Sequence, residues 1–232
     1  MTIPLEDQRR FWNEWSKGRE TALGEVSLDQ AELTEAWMAG RSGLDVLDVG
    51  CGGGWLCKRL VRFGNVVGTD LADEVISRAR ARVPEAQFVA GDFMTLNFST
   101  QFDVITCLEV LSHVADQPGF ITKVATLLKP QGQLLLATQN RFVLERNDVP
   151  LPAPGQLRRW VDRKTLRALL EPRFTILEIT TRTPRGNRGM LRLTNSPKLN
   201  SAAATIVPPY LIKRCKERLG LGWTMMARAE LR

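Results

Sequence analysis

One stretch near residue 50 constrains the fold more than any other: a mainly apolar, strand-like run that ends in a cluster of glycines. The run extends from Leu44 to Val49, and glycines follow it at positions 50, 52 and 54. Glycine lets the backbone turn sharply and approach a ligand where a Cβ atom would collide. A second predicted strand, 65–69, ends at Asp70, an acid placed to hydrogen-bond a ribose diol. The pattern predicts a strand–helix–strand unit, with its helix over 55–63, that can hold a nucleoside.

The residue at position 55 separates two classes of nucleotide site. A dinucleotide-binding turn of the form G-x-G-x-x-G needs glycine there, and this chain has Trp55. The spacing present, Asp48-x-Gly50-x-Gly52-x-Gly54, resembles the first motif of class I S-adenosylmethionine-dependent methyltransferases. A dinucleotide binds its pyrophosphate at the helix N-terminus. S-adenosylmethionine has no phosphate, so its turn needs close approach together with an acid.

This resemblance implies S-adenosylmethionine as the cofactor and S-adenosylhomocysteine as its product. It assigns Asp48 to the ammonium group of the cofactor, directly or through water, and Asp70 to the ribose. Asp92-Phe93 follows the third predicted strand, where an acceptor beside an aromatic plane suits the edge and face of adenine. The full set of implied cofactor-binding residues is Trp12, Asp48, Gly50, Cys51, Gly52, Gly54, Asp70, Leu71, Asp92, Phe93 and Leu108.

Candidate catalytic residues follow the fourth predicted strand. The segment Leu108-Glu-Val-Leu-Ser-His113-Val resembles the E-V-L-x-H-V pattern of the small-molecule branch, which includes the ubiquinone-biosynthesis O-methyltransferases. His113 titrates near neutral pH and can accept a proton from a hydroxyl or amine during methyl transfer. It can equally position the acceptor, or pack beneath the loop. Glu109 is the second candidate, as a residue that orients the histidine or as an ordinary acid at a helix start.

Alternating apolar strands and helices predict an α/β fold with a doubly wound, mostly parallel sheet. Seven strands are predicted, at 44–49, 65–69, 86–92, 102–108, 133–138, 174–180 and 223–229. Further helices are predicted over 73–82, 117–128 and 162–170, and a proline–glycine turn over 129–132. The resemblance implies that the last strand is antiparallel. The long segment before that strand is predicted to be a structured insertion.

The length favours one domain, residues 1–232, with three parts. These are an N-terminal helical lid (1–40), a cofactor-binding core (41–140) and an acceptor-side part (141–232). The lid is inferred from Trp12 and Trp15, which share one helix face; docking of that helix on the sheet edge is the alternative. Candidate acceptor-binding residues are Asn140, Arg158, Arg159 and Trp160, which offer a stacking face and forked donors for an anion. The alternative for the last three is a surface loop that Trp160 anchors.

The net charge of +7 is unevenly spread along the chain. From Arg141 onward there are 19 Lys and Arg against 7 Asp and Glu, a balance of +12, whereas residues 1–140 carry −5. This asymmetry indicates an acidic substrate, a nucleic acid, a membrane surface or simply a solvated basic face. A basic helix over 210–219 carries Leu211, Cys215 and Leu219 on one face. We expect this helix to pack against the insertion, with peripheral membrane contact as the alternative.

The cysteines and the histidine indicate the cellular compartment and limit the kinds of metal site that the chain can form. The four cysteines show no paired spacing, which indicates a reducing compartment, and the single histidine excludes a zinc site built from several histidines. No apolar run reaches the length of a membrane span, and the N-terminus lacks the pattern of a signal peptide. We therefore expect a cytoplasmic protein without a metal.

These features predict an enzyme that transfers a methyl group from S-adenosylmethionine to an oxygen or nitrogen of a small molecule, anionic or aromatic. Two alternatives stay open: an RNA or protein methyltransferase that uses the basic C-terminal part, and a binding module without turnover. Nucleic acid is the less favoured partner. Val207-Pro-Pro-Tyr210 is similar to an N-P-P-Y motif but does not follow the fourth strand, where that motif must lie. The sequence assigns no oligomeric state.

Overall fold

The computed structural model describes residues 3–17 and 23–232. Its centre is a seven-stranded sheet in the order β3-β2-β1-β4-β5-β7-β6. The first five strands run parallel, and β7 pairs antiparallel with both β5 and β6. The strands are β1 (Leu44–Val49), β2 (Gly64–Asp70), β3 (Gln87–Ala90), β4 (Phe102–Leu108), β5 (Leu128–Gln139), β6 (Phe174–Pro184) and β7 (Gly222–Leu231). The predicted fold class and the antiparallel last strand are confirmed.

Helices cover both faces of this sheet. They are α1 (Leu5–Ser16), α2 (Glu25–Met38), α3 (Cys57–Leu60), α4 (Asp73–Arg82), α5 (Gln117–Leu127), α6 (Arg141–Leu144), α7 (Arg163–Leu170), α8 (Gly189–Thr194), α9 (Pro197–Ala204) and α10 (Pro209–Arg218). Short 3-10 turns occupy Val61–Phe63 and Leu111–His113. Within the described ranges, no helix has both the length and the apolar character that crossing a bilayer would require.

Side-chain alternation along the strands builds two separate cores. On one face Val46 and Val104 pack with α2, α3 and α4, and on the other Leu47 and Ile105 pack with α5 and α7. Neighbouring strand residues point to opposite faces, so strands that are apolar throughout must be covered twice. The continuous apolar runs in the sequence have this cause. The carboxyl ends of β1, β2 and β4 are left to form one open edge.

Several strand ends shift by a few residues from the predicted bounds, and two predicted elements have a different form in the structure. The helix predicted over 55–63 is one α-helical turn, α3, followed by a 3-10 turn, because the glycine-rich turn extends through Leu56. The predicted turn over 129–132 lies inside β5 as a bulge: pairing with β4 shifts from Phe102–Leu128 to Val104–Gln133. Gln131 adopts φ 62° there. The turn residues therefore interrupt the ladder without ending the strand.

The insertion between β6 and β7 consists of α8, α9 and α10. Its basic helix packs against α9 of the insertion, as expected, and Lys216 donates to Asn200 there, but Leu211, Cys215 and Leu219 do not provide this contact. Those three side chains are exposed, whereas Lys213 and Glu217 face the domain and pair with Asp29 and Arg182. The side of α10 that faces the domain is thus the side whose charged residues find partners, Asp29 on α2 and Arg182 on β6.

Candidate active site

A cavity of about 550 Å³ lies at the carboxyl edge of the sheet, where the ends of β1, β2 and β4 meet the loop after β3. Ligands of open α/β sheets bind at this edge, because the turns that leave the strands converge there. The predicted residues that line it are Trp12, Gly50, Gly52, Asp70, Leu71, Asp92, Phe93, Leu108, Glu109 and His113. These predicted residues come from five separate segments of the chain and meet in one cavity.

The glycine turn forms one wall of this cavity in a conformation that requires glycine. Gly50 has φ 73°, and a Cβ atom there would overlap Val110. Gly52 has φ 52° and open space where its Cβ would point. Side chains rarely adopt such φ values. The backbone of Gly52 therefore presents itself to a ligand without any side chain in between.

Asp70 ties this turn to the end of β2. Its carboxylate accepts hydrogen bonds from the backbone N–H groups of Gly52 and Ala72, each at 2.9 Å. Burial raises the pKa of Asp70, while these backbone N–H groups act in the opposite direction. Each carboxylate oxygen retains acceptor capacity beyond these bonds. The side chain can therefore receive a ribose diol while it holds the turn in place.

Three of the predicted cofactor-binding residues do not line the cavity: Asp48, Cys51 and Gly54. Asp48 is 2% exposed, and its oxygens accept from Thr106 Oγ1 at 2.7 Å and Cys57 Sγ at 3.3 Å. Burial raises the pKa of Asp48 to about 7. Asp48 was expected to meet a cofactor ammonium group directly or through water, and of these two routes direct contact does not fit this geometry. The carboxyl group is already enclosed by its own neighbours and supports the turn from below.

The Asp92-Phe93 pair occupies the cavity wall after β3. Asp92 Oδ1 accepts from Met94 N at 3.0 Å, and the Phe93 ring packs against Phe120 with centroids 5.1 Å apart. Lys123, which the sequence did not single out, donates to the carbonyls of Met94 and Leu96. The loop is thus fixed from α5, and an acid and an aromatic ring stand side by side in the cavity.

His113 is held with one ring nitrogen available. Its Nδ1 lies 2.6 Å from the carbonyl oxygen of Leu157, which can only accept, so Nδ1 carries the proton and Nε2 the lone pair. Burial lowers the pKa of His113, the Leu157 carbonyl opposes this, and the charge of Arg158 lowers it further. The ring also packs edge-on against Trp12, with centroids 4.7 Å apart. The arrangement provides a neutral imidazole whose Nε2 can accept a proton.

Glu109 sits at the end of β4 in a backbone conformation that is rare for its residue type, with φ 64°. Gln30 donates to Glu109 Oε1 at 2.7 Å, and Gln139 donates to the same carboxyl group. Burial raises the pKa of Glu109 to about 7, against the effect of both amides. Strain at a cavity-lining acid is typical of functional positions. No pattern in the sequence pointed to Gln30, because it lies 79 residues before Glu109 and belongs to no recognisable motif.

The four candidate acceptor-binding residues do not line the cavity. The amide nitrogen of Asn140 donates to the carbonyls of Gly220 and Gly222, each at 2.9 Å. Arg158 donates to Pro150 O, Arg159 to Ala115 O, and Trp160 Nε1 to Gln139 Oε1 at 3.0 Å. Their polar groups are thus used within the protein. The segment from Leu157 to Trp160 supports His113 and Gln139 from behind.

Helix α1 covers the open side of the cavity. Leu5, Gln8, Trp12, Trp15 and Ser16 all line it, whereas α2 buries Ala31, Trp37 and Met38 in the core. Asn13 anchors the helix by donating to Asp73 Oδ1 of α4 at 3.0 Å. Of the first two helices, α1 alone can shield a bound ligand from water.

The electrostatics of the cavity wall favour a cationic ligand. Among the described residues, its ionisable groups are Asp70, Asp92, Glu109, Asp116 and His113, with no lysine or arginine. No group of three or more His, Cys, Asp or Glu in the described part of the chain is arranged to hold a metal ion. A wall that combines carboxylates with aromatic rings suits a ligand with a positive centre and a planar base.

Comparison of the sequence with known proteins identifies relatives. The model of the Methyltransferase domain family matches residues 22–173. The chain is 38% identical over 107 residues to a ubiquinone biosynthesis O-methyltransferase from Stutzerimonas stutzeri, which is 43% of this chain and 46% of that protein. It is 39% identical over 141 residues to the enzyme of that name from Idiomarina loihiensis, 58% of this chain and 57% of the relative. The chain thus spans about half the length of these curated relatives.

Solved structures share the whole fold at low sequence identity. The N-methyltransferase NodS from Bradyrhizobium japonicum, in complex with S-adenosylhomocysteine, matches with a TM-score of 0.67 and 15% identity over 97% of this chain and 99% of its own. The [4+2]-cyclase SpnF matches with a TM-score of 0.65 and 16% identity over 99% and 98%. Because proteins with this fold catalyse different reactions, these structural similarities show the fold and not the reaction. The family match, which covers well over half of the chain, shows that this protein belongs to the methyltransferase-domain family.

Proposed function

We propose that this protein binds S-adenosylmethionine in the cavity beneath α1 and transfers its methyl group to an oxygen of a small molecule. The observation that carries the proposal is the junction of Gly52 and Asp70, where an exposed backbone and a carboxylate with spare acceptor capacity meet at the carboxyl edge. The O-methyltransferase names of the relatives support oxygen over nitrogen as the accepting atom.

The wall residues suit the parts of such a cofactor. Asp70 would receive the ribose, Asp92 and Phe93 the edge and face of adenine, and the acidic wall would balance the positive charges of the sulfonium and ammonium groups. When bound, S-adenosylmethionine supplies a methyl group that its sulfonium already activates, so the protein must mainly align the acceptor and exclude water. Helix α1 would exclude water, and Trp12 closes over His113.

His113 is the proposed general base. Its Nε2 would take the proton from the acceptor hydroxyl as the oxygen attacks, while Leu157 O holds the imidazolium through Nδ1–H. Glu109 is proposed as a positioning residue, held by Gln30 and Gln139 at the same edge.

We propose an aromatic hydroxyl compound as the acceptor class, in preference to an acidic one. Trp12, Trp15, Phe93 and Phe120 line the cavity, and its carboxylates would repel an anion. Arg158 and Arg159, the residues first considered for an anion, donate to backbone carbonyls elsewhere. Supplying labelled S-adenosylmethionine with a simple phenol and with the matching carboxylic acid tests the choice; label on the acid but not on the phenol contradicts it.

Calorimetry tests the cofactor proposal directly. We expect S-adenosylhomocysteine to bind and NAD not to bind. Asp70→Asn should weaken binding by about 1–3 kcal/mol, because hydrogen bonds to a charged carboxylate are lost. Asp103→Asn, which alters an acid at the opposite end of β4, is the matched control and should bind like the original protein. Tighter binding of NAD than of S-adenosylhomocysteine would overturn the proposal.

A further inference from the structure

A second cavity, of about 860 Å³, lies where the insertion meets the end of β6 and the start of β7. Pro184 of β6 and Trp223 of β7 line it, together with residues of α9, α10 and the loop after β6. Among the residues that the structure describes, none lines both this cavity and the one beneath α1. Small-molecule sites in proteins have volumes of roughly 300–1,000 Å³. The cavity is therefore a candidate ligand site of its own, and it does not depend on the proposed function.

The charged groups of this second cavity are mainly cationic. Within the described ranges its ionisable residues are Arg185, Lys213 and Lys216 and a single acid, Glu25. Two of the cations have carboxylate partners: Arg185 Nη2 lies 2.9 Å from Glu25 Oε2, and Lys213 Nζ lies 2.8 Å from Asp29 Oδ1. In the cavity beneath α1, by contrast, carboxylates predominate. An anionic ligand, which the first cavity would repel, is therefore suited to the second.

Lys216 differs from the other two cations, because no carboxylate in the described part of the chain pairs with it. Its Nζ donates to Asn200 Oδ1 of α9 at 2.9 Å, and this amide oxygen carries no formal charge. The side chain is partly buried, and burial lowers the pKa of Lys216 with no acid acting against it. Removing a cation from water without a counter-charge costs free energy. An anion in the cavity would supply that counter-charge.

Neutral groups around the same cavity add hydrogen-bond donors and a flat apolar face. Asn200 uses its amide oxygen for Lys216, so its amide nitrogen can donate to a ligand, and Ser201 supplies a hydroxyl. Trp223 provides an indole ring, and the Arg185 guanidinium lies 5.9 Å from the ring centroid. An ammonium group beside an amide N–H suits a carboxylate or a phosphate. An indole face suits a planar ring, so the lining matches both parts of an aromatic anion.

We propose that this cavity binds a small aromatic anion, with the anionic group at Lys216 and Asn200 and the ring against Trp223. From Arg141 onward the chain carries 19 Lys and Arg against 7 Asp and Glu, and a cavity whose cations outnumber its acids gives that excess a ligand of matching charge. A neutral aromatic compound would leave Lys216 without a counter-charge. An anion without a ring would leave the face of Trp223 in contact with water.

Calorimetry of the full chain with 1-naphthoate tests the proposal, with 1-naphthylmethanol as the uncharged analogue of similar shape. We expect 1-naphthoate to bind and the alcohol to bind about tenfold more weakly, because the alcohol lacks the charge that pairs with Lys216. Lys216→Gln should weaken binding of 1-naphthoate about tenfold and leave binding of the alcohol unchanged. Lys198→Gln removes the same charge from an exposed position of α9 outside the cavity. It is the matched control and should bind like the original chain.

Two further arms identify the parts of the ligand. Trp223→Leu should weaken binding of 1-naphthoate about threefold to tenfold, because the stacking face is lost. A comparison of 1-naphthoate with 1-naphthyl phosphate shows whether the site prefers a carboxylate or a phosphate, and binding of either one that depends on Lys216 supports the proposal.

Saturating S-adenosylhomocysteine should leave the affinity for 1-naphthoate unchanged, because the two cavities have no described lining residue in common. Displacement of 1-naphthoate by S-adenosylhomocysteine would put the anion in the cavity beneath α1 and overturn the proposal. Equal binding by Lys216→Gln and the original chain, or no binding of either anion, would also overturn it. If S-adenosylhomocysteine itself does not bind, the proposed function is contradicted, and the comparison with Lys216→Gln still decides the second site.

Discussion

His113 and Glu109 lie in one cavity wall, but their surroundings give them different chemistry. Burial lowers the pKa of His113, so its imidazole is neutral at pH 7 and has a lone pair to accept a proton. Burial raises the pKa of Glu109 to about 7, so it is only partly ionised at that pH, and two amides hold its oxygens. The histidine is thus the better candidate for proton removal, and the glutamate for positioning.

Replacing His113 by Ala should lower kcat by about 10²–10⁴-fold with binding of S-adenosylhomocysteine retained, the usual effect of losing a positioned base. The rate of the original enzyme should rise with pH, with a midpoint below 6.5, and stay level above it, because only neutral imidazole accepts the proton. Steady-state kinetics across this range provides the measurement.

Glu109→Gln is the control for this assignment and should leave the midpoint in place. A midpoint near 7 that disappears in Glu109→Gln would show that the glutamate is the titrating group. His113→Gln with most of its activity and an unchanged pH profile would likewise contradict a base at this position.

Among the residues of helix α1, all of which the structure describes, Asn13 is the one that is buried, so the helix can open without unfolding of the sheet. Asn13 donates to Asp73 at 3.0 Å, and Trp12 packs on His113. Elements with few buried contacts open at a lower free energy than the core. The same helix provides five of the cavity-lining residues, so its attachment and ligand binding should depend on one another.

We expect Asn13→Ala to speed tryptic cleavage after Arg9 and Arg10 about fivefold, the effect of removing one hydrogen bond of about 1 kcal/mol. Binding of S-adenosylhomocysteine should slow cleavage at both sites. Glu14→Ala, an adjacent exposed position on the same helix, serves as the control and should cleave like the original protein. Unchanged cleavage in Asn13→Ala would mean that other contacts hold α1.

The free energy of unfolding of the whole domain should depend on pH, because the pKa values of its acids differ between the folded and unfolded states. The pKa of Asp48 is about 7 in the folded protein against 3.8 for a free aspartate. The folded state therefore binds this proton more tightly than the unfolded state does. The resulting stabilisation is complete below pH 3.8 and is lost as the pH rises through 7. Asp45, two residues earlier in β1, is the opposite case, since its hydrogen bond with Lys129 lowers its pKa.

Denaturant unfolding of Asp48→Asn at two pH values checks this difference. The free energy of unfolding of the variant, minus that of the original protein, should be about 2–3 kcal/mol higher at pH 8 than at pH 5. The reason is that Asp48 loses its stabilising effect as it ionises, whereas asparagine does not ionise. Asp45→Asn should change the free energy of unfolding equally at both values, since Asp45 is ionised throughout that range. An Asp48→Asn effect that does not depend on pH would show that this carboxyl group titrates normally in the folded protein.

The sequence by itself determined the features that depend on near neighbours. The bounds of β1, α4 and β4 and the positive φ values at Gly50 and Gly52 agree with the patterns that predict them. Periodicity, glycine and capping residues act within a few positions of the chain. For the same reason, Gly50, Leu71 and Glu109, which directly follow β1, β2 and β4, lie in the cavity wall, whereas Asn140 after β5 does not.

Only the tertiary structure decided which polar groups remain free to meet a ligand. Asp48 turns to Thr106, Arg159 to Ala115 and Asn140 to Gly220, so none of them faces the cavity. Likewise Lys213 and Glu217 turn α10 so that its apolar residues face outward. Each outcome depends on a partner that lies tens of residues away in the chain. A buried polar group must find its hydrogen-bond partner wherever the fold places one, and no local pattern records that position.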